Sequence, residues 1–341
     1  MGKTRTIKLK DVARAAGVDA STVSRVLNNQ AAQRVAEETR ERILAKAQEL
    51  GYQPNPLARG LRTARTYALG IAVPQLDNPV FAQIIIGATD AAHARGYELI
   101  VTLVTDLAAG PAVYERLAQT HRVDGLLVST LEKDDVLLKA LERASVPCVV
   151  VNRQVRGVEN SVAHDSFEAA RQSTEYLISI GHRRIAHLAG RLNGYNGTRR
   201  LAGYRAALEA AGIKPDRSLV AEAGYTLEGG EAAMQKILEL KPRPTAVVAA
   251  TVLSAAGALR VLHAKKIKVP EDISVMSIHD VQIADMLFPP LTTLRLPLQE
   301  MGKVATDGLI DLLEGKTKVV SRVLAPEKLV VRESTAPPRR R

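Results

Sequence analysis

The chain has no tryptophan, and aromatic residues make up only 3% of its 341 positions. Binding of single-stranded nucleic acid on stacked aromatic platforms is therefore not to be expected. It has one cysteine, Cys148, so an internal disulfide is impossible. The setting Val146-Pro-Cys-Val-Val-Val151 reads as a buried strand, which makes Cys148 a small core residue and not a reactive thiol. Neither a signal peptide nor an apolar run long enough to span a bilayer is found, so a cytoplasmic location is expected. The sequence contains no His-Glu-x-x-His, no set of cysteine ligands, no Walker-type Lys-Ser/Thr after its glycines at 190–203 and no Gly-x-Ser-x-Gly. No metal, cofactor or catalytic set is therefore expected, and the chain is not read as an enzyme.

What is present is apolar material for real cores. Hydrophobic residues make up 46%, and the length suits three domains better than one. The net charge of +11 is unevenly spread. Residues 1–65 carry 13 Lys and Arg against 6 Asp and Glu, whereas residues 66–336 are nearly balanced at 31 against 30. The basic surplus thus sits mainly at the N-terminus, as a phosphate-binding surface requires. Three further arginines, Arg339 to Arg341, end a Pro-rich tail that reads as a solvated, disordered basic segment over 334–341.

The most informative stretch is Lys10 to Arg62. Val12, Ala13 and Ala16 recur at helical spacing until Gly17 ends the helix. Asp19 suits the N-cap of a second helix. There Val23, Val26 and Leu27 share one face, and Ser21, Arg25 and Asn28 share the other. Two short helices about a glycine-containing turn make a helix-turn-helix, whose second helix fits the DNA major groove. A third helix, Ala36 to Leu50, is expected to close the small core with Ile43, Leu44, Ala47 and Leu50, and Gly51 to cap it. Gln53-Pro-Asn-Pro56 then breaks the chain. Asn55 and Pro56 can open two further helical turns over Leu57–Arg62, which are marginal alone in water.

Lys10-Asp-Val-Ala-Arg-Ala-Ala-Gly17, Ser21-Thr-Val-Ser-Arg-Val-Leu-Asn28, Glu37-Glu-Thr-Arg40 and Asn55-Pro-Leu-Ala-Arg-Gly-Leu-Arg62 together resemble the LacI/GalR family of bacterial transcription repressors. The resemblance implies that Ala20, Ser21, Thr22, Ser24, Arg25 and Asn28 face operator DNA. It further implies that 55–66 is a hinge helix and linker whose Leu61 wedges into the minor groove beside Arg62. Three positions depart from the common pattern. The segment between Asn28 and Val35 is about two residues longer, Ala36 replaces a capping Ser, and Gly60 replaces a Ser in the hinge. Gly within a helix costs roughly 1 kcal/mol relative to Ala, so this hinge should depend more on DNA than most.

From Tyr67 onward short apolar runs alternate with amphipathic stretches. The runs are Ala68–Val73, Leu99–Val104, Gly125–Val128, Cys148–Val151, Ile185–Leu188, Ala246–Ala250 and Ile273–Ile278. Helical patterns lie between them at Phe81–Arg95, Phe167–Ile180, Arg199–Ala211, Gly229–Leu240 and Leu253–Ala264. This alternation predicts parallel sheets with helices on both faces. The expected fold is multidomain: an all-α headpiece over 1–54, the hinge over 55–66, and an α/β core over 67–333 of two doubly wound parallel-sheet lobes. Gly181 to Gly190, Val269 to Val275 and Pro289 to Thr293 also resemble family signatures. The family's periplasmic-binding-protein-like core implies an N-lobe of about 67–164 plus 291–333 and a C-lobe of about 165–290.

Ligands in open parallel sheets sit beyond the carboxyl ends of strands. This draws attention to 75–81, Ser129 and Thr130, Asn152 and Arg153, 193–200, Thr251 and Val252, and His279 and Asp280. The resemblance implies effector contacts at Phe81, Ser129, Asn152, Asn196, Arg200, Thr251 and His279, with Arg153 as a possible helper. Two departures bear on the ligand. Thr251-Val252 stands where the family usually has Asn-Asp, and His279 stands where it usually has an aspartate that accepts from sugar hydroxyls. Arg200 is retained. Acceptors are lost and a cation is kept, which favours an anionic or carbonyl-bearing ligand. The alternative, in which His279 bonds within its lobe and the effector is a neutral sugar, stands beside it.

The expected function is that of a ligand-responsive, sequence-specific repressor. A homodimer would bind a near-palindromic operator, with a sugar, sugar acid or sugar phosphate between its lobes. Induction and corepression both remain open. A solute-binding module of a transporter would need a signal peptide and no helix-turn-helix, and an architectural DNA-binding protein would need no cleft-bearing core.

Overall fold

The computed structural model describes residues 7–27, 35–52, 65–104, 112–114, 116, 122–130 and 134–339. Two compact units meet at Thr66 and Tyr67. The expected hinge helix, with Leu61 and Arg62, lies outside the described residues, as does Asn28.

The first unit contains α1 (Leu9–Ala16), α2 (Ala20–Leu27) and α3 (Glu37–Glu49). The Asp11 carboxylate accepts from the Lys8 backbone N–H at 2.9 Å, closing the first turn of α1. Gly17 ends it at φ +64°, a conformation that glycine enters without a Cβ penalty. The Asp19 carbonyl accepts from Thr22 and Val23 and so starts α2. Val12, Ala13, Ala16, Val23, Val26, Ile43 and Ala47 form the core. Arg42 on α3 donates to the Ala16 carbonyl at 3.1 Å, filling one of the acceptors left open at the end of α1. Leu44 was expected in this core but is largely exposed. The stripe that faces α1 runs through Ile43 and Ala47, four residues apart, and Leu44 falls 100° round the helix from Ile43.

The second unit begins with β1 (Ala68–Val73), α4 (Pro79–Ala94), β2 (Glu98–Leu103), β3 (Gly125–Val128), α5 (Asp134–Arg143), β4 (Cys148–Val151) and β5 (Ser161–His164). There follow α6 (Ser166–Ser179), β6 (Ile185–Ala189), α7 (Tyr195–Ala210), β7 (Val220–Glu222), α8 (Leu227–Glu239), β8 (Ala246–Ala249), α9 (Val252–Ala264), β9 (Ser274–Ile278), the short α10 (Ile283–Met286) and β10 (Thr292–Arg295). Last come α11 (Leu298–Leu313), β11 (Ser321–Leu324) and β12 (Lys328–Val330). One sheet is ordered β11-β5-β4-β3-β1-β2 and the other β12-β10-β9-β8-β6-β7. The pairing is parallel except for β12 against β10. The two sheets share one winding order, so each has its switch point beside its first strand, between β1 and β3 and between β6 and β8.

Both faces of each sheet are covered. In β1, Leu69, Ile71 and Val73 join α4 and α11 in one core, while Ala72 joins α5 through Leu137 and Ala140 in another. The α4–α11 seam is close. A Cβ on Gly302 would stand 2.1 Å from the Ile84 carbonyl oxygen, and one on Gly87 would stand 1.9 Å from that of Gln299. The second lobe packs Leu188, Val247 and Val275 against Met234, Ile237 and Leu259, and Ile185 and Val248 against Leu177 and Tyr204. Cys148 donates to the Val146 carbonyl at 3.3 Å, and burial pushes its thiol up to about 12, far from thiolate reactivity.

Three segments join the lobes. Asp165 follows β5 of the first sheet and opens α6 of the second lobe, capping it through bonds from Phe167 and Glu168, both at 3.1 Å. Two expected bounds are corrected. The return to the first lobe lies after β10, not at 291, because β10 runs parallel to β9 with Thr293 opposite Ser277. The chain then crosses a third time between β11 and β12, since β12 pairs with β10. Residues 334–339, expected as a disordered tail, are fastened to the second sheet. Ser334 is fully buried, donates from Oγ to the Val275 carbonyl at 2.6 Å, and accepts the Val275 N–H at its own carbonyl at 2.8 Å. His182 Nε2 lies 2.9 Å from the Ala336 carbonyl. The entrance to β9 leaves backbone groups that need partners, and the tail supplies them.

Candidate DNA-reading surface and effector site

On α2, Val23 and Val26 are buried, and this fixes which face turns outward. Ala20 and Ser21 are exposed, and Thr22, Ser24 and Arg25 are half-buried beside them. Arg25 lies along its own helix. Its Nε donates to the Ser21 carbonyl and its Nη2 to Thr22 Oγ1, each at 3.3 Å. Long, weak bonds of this kind hold a guanidinium ready without committing it to an ion pair.

In the second unit a chain of polar contacts links the lobes. Asn196, in the first turn of α7, donates from Nδ2 to the Asn152 carbonyl beyond β4 at 2.9 Å. Its Oδ1 accepts from Ser166 Oγ at 2.9 Å, and that hydroxyl also lies 2.8 Å from His164 Nε2. Arg200, one turn further along α7, is 2% exposed. It donates to the Ala250 carbonyl beyond β8 at 2.8 Å. Its Nη2 lies 3.2 Å from His164 Nε2 and 3.0 Å from His279 Nε2. Near the edge, the Tyr195 hydroxyl donates to Gln154 Oε1 at 2.9 Å.

Four expected effector residues, Asn152, Asn196, Arg200 and His279, are thus joined in one network. The others stand apart from it. Phe81 packs in the first lobe's core. Ser129 follows β3 and donates its backbone N–H to Ala72. Thr251 caps α9, its hydroxyl accepting the Ser254 N–H at 3.3 Å. Arg153 is ion-paired with Asp134 and donates to the Thr130 carbonyl at 3.4 Å, so its charge is already matched. His164 and Ser166 were not singled out from the sequence. Their signal is faint: two polar residues flanking the Asp165 crossover.

Burial sets the protonation of this site. Desolvation, reinforced by Arg200, lowers His164 to about 3 and holds His279 well below the ordinary imidazole range. Desolvation also lowers Arg200, which has no carboxylate within ion-pair reach among the described residues. Asn152 and His279 both take positive φ, +74° and +78°. Such backbone strain in non-glycine residues gathers at ligand clamps. Among the described residues, no group of His, Cys, Asp or Glu could hold a metal ion, and no helix is long and apolar enough to cross a membrane.

A family model described as bacterial regulatory proteins, lacI family, matches residues 8–55, and a periplasmic binding protein-like domain matches residues 174–335. The transcriptional regulator CelR of Thermobifida fusca is 37% identical over 98% of this chain and 100% of its own. The repressor PurR of Vibrio atlanticus is 34% identical over 96% and 98%. Among solved structures, a CelR–cellobiose complex is 36% identical with a TM-score of 0.73, over 96% of this chain and 99% of that one. The lac repressor dimer bound to operator and the anti-inducer ONPF is 28% identical with a TM-score of 0.83, over 97% and 100%. With both units matched and curated relatives aligned nearly end to end, the chain belongs to the LacI family of bacterial transcription regulators.

Proposed function

We propose that the chain binds a near-palindromic operator as a homodimer and that a small sugar-derived effector held by the Asn152–Asn196–Arg200–His279 network changes its grip on DNA. The chain is thereby a regulator and not an enzyme. It works in the cytoplasm, at the nucleoid through its DNA contacts. The relatives support this reading: the lac repressor was solved as a dimer on operator, and CelR with cellobiose. The observation that carries it is the outward stripe of α2, with Ala20, Ser21 and Arg25 turned away from a core fixed by Val23 and Val26.

Arg25 reads a base edge, most naturally guanine, while Ala20, Ser21, Thr22 and Ser24 line the groove beside it. Asn28 joins them on the operator, Leu61 wedges the central step and Arg62 flanks it. On the core, Phe81, Ser129 and Thr251 shape the effector cleft around the polar network, and Arg153 steadies its wall through Asp134. Two apolar patches fit a second copy. The edge strand β2 leaves Ile100, Val101 and Leu103 uncovered, and Phe288 is 90% exposed beside Met286. An open apolar edge strand calls for cover.

Selection from randomised duplexes should return a site of two inverted half-sites. Arg25→Ala should then cost about 1–3 kcal/mol on that site and far less on random DNA. Equal losses on both would reduce Arg25 to a phosphate contact and remove the reading's main support. Effector action is linkage: a ligand shifts DNA affinity only as far as it prefers one lobe arrangement over the other.

A further inference from the structure

The guanidinium of Arg200 is buried, and the groups around it are neutral. Its partners are the Ala250 carbonyl and two imidazole nitrogens. A guanidinium offers only hydrogens, so the Nε2 atoms of His164 and His279 accept from it and each ring carries its proton on Nδ1, the Ser166 hydroxyl sharing its one hydrogen between His164 Nε2 and Asn196 Oδ1. Both Nδ1 atoms are buried and have no partner among the described residues, and the same holds for Arg200 Nε. One positive charge and its Nε–H donor are therefore left unanswered, among the described residues, at one place. That place lies where β5, β8 and β9 end and where α7 of one lobe meets His164 of the other. Nearby, Asn152 Oδ1 is a buried acceptor without a partner among the described residues.

A buried cation without a counter-charge is costly, and protein interiors pair such groups. Residues that do so are visible elsewhere in this fold: Asp134 answers Arg153, and Asp280 answers Arg295 and Arg332. At Arg200 the described residues supply no such answer. A neutral sugar hydroxyl could fill single donors but brings no charge. A carboxylate or phosphate is acceptor-only and charged, which matches a buried cation with a donor to spare.

Resting on the reading that this network holds the effector, we propose that the effector is a hydroxylated anion, a carboxylate- or phosphate-bearing sugar, whose anionic group is the missing counter-ion of Arg200. The Nε–H of Arg200 donates to that group, and Asn152 Oδ1 takes a ligand hydroxyl. The same argument explains what His279 does in place of a carboxylate: it leaves the charge of Arg200 free for the ligand. Parting of the lobes separates Arg200 from His164 and opens the way in.

The test is calorimetry and operator release with four probes, gluconate, glucose 6-phosphate, glucose and cellobiose, on the full-length wild type, Arg200→Met and His279→Asp. The expected result is that gluconate, glucose 6-phosphate or both bind and alter operator affinity, and the one that binds identifies the anionic group. Arg200→Met should weaken that binding by about ten- to a hundredfold. His279→Asp builds in the counter-ion, so it should raise the ligand-free melting temperature while cutting anion affinity at least about tenfold. The second variant relieves a buried charge, so the test survives if Arg200→Met fails to fold. Binding of cellobiose or glucose with operator release and no response to either anion would overturn the inference and leave the effector reading standing. So would anion binding that is indifferent to His279→Asp. If no probe binds and the network's variants leave operator control unchanged, the effector reading itself falls and takes this inference with it.

Discussion

Acidification should destabilise the core of this regulator well before its carboxylates titrate. Desolvation, with Arg200 adding to it, brings His164 to about 3, and desolvation brings His187 to about 4. His187 donates from Nδ1 to the Val248 carbonyl at 3.0 Å and stacks on Tyr204, its ring enclosed on all sides. In the unfolded chain these rings titrate near 6.5. A folded value below the unfolded one means that the unfolded state takes protons first as the pH falls. Stability is therefore full above about pH 6.5 and drains away from there down to the folded values. Each pH unit is worth about 1.4 kcal/mol per group, so moving from 6.5 to 5 costs about 2 kcal/mol for each ring and about 4 kcal/mol for the pair. His279 and His182, both lowered first by desolvation, add in the same direction. Against a typical total of about 5–15 kcal/mol this is a large fraction. Asp280 does not confuse the window: its burial is outweighed by Arg295, Thr293 and Arg332, and it loses its contribution only below about pH 4. With no tryptophan to report unfolding, scanning calorimetry is the suitable assay, and it separates the two units as well. The core transition should fall by on the order of 10 °C between pH 7 and 5. His187→Gln keeps a donor for Val248 but cannot titrate, and should recover about 2 kcal/mol of that loss. A core transition that is flat between pH 7 and 5 would refute the reasoning.

The remaining expectations concern other links. Gly302→Ala gains about 1 kcal/mol of helix propensity but drives a methyl to 2.1 Å from the Ile84 carbonyl oxygen. Overpacking should prevail at about 1–3 kcal/mol, seen as a lower urea midpoint with an unchanged slope, and a gain in stability would mean that the α4–α11 seam yields freely. Deleting residues 334–341 removes the Ser334 and Ala336 bonds to β9 and uncovers His182, and should cost a few kcal/mol, on the order of 1 per bond lost, in chemical denaturation. An unaltered midpoint would show the strap to be superfluous. Leu61→Ala should reduce operator bending and specific affinity together, as circular-permutation gels would show, and an unchanged bend would make the segment a plain linker.

Much of this molecule was legible where periodicity is strong. Val12, Ala13 and Ala16 around Gly17, and the run Val247–Ala249, declare themselves because one face or one strand is wholly apolar. The strands that were missed are short or mixed: Ser161–His164 and most of Thr292–Arg295 are buried, yet polar side chains hide them. The final crossing escaped for the same reason, since Lys328–Val330 has only three residues. At the site, Arg200 and His279 stood out one by one. That they meet, 79 positions apart, is set by the winding of the second sheet and not by any local pattern. The partner of Arg153 was equally unreadable, because Asp134 lies on a different element and carries no motif. Leu44 shows the converse error, an apolar residue one step off its stripe.

The three crossings between the lobes have a mechanical consequence. They fall at Asp165, at 296–297 and at 325–327, each only one to three residues long between a strand that ends in one sheet and an element of the other lobe. Three short straps side by side resist sliding and twisting far more than they resist folding about their common line. Such a joint has essentially one soft degree of freedom. On the proposed reading, a ligand that bridges Asn152, Asn196 and Arg200 would set that single angle, so its binding energy would be converted into one defined rotation and not dispersed among many small ones.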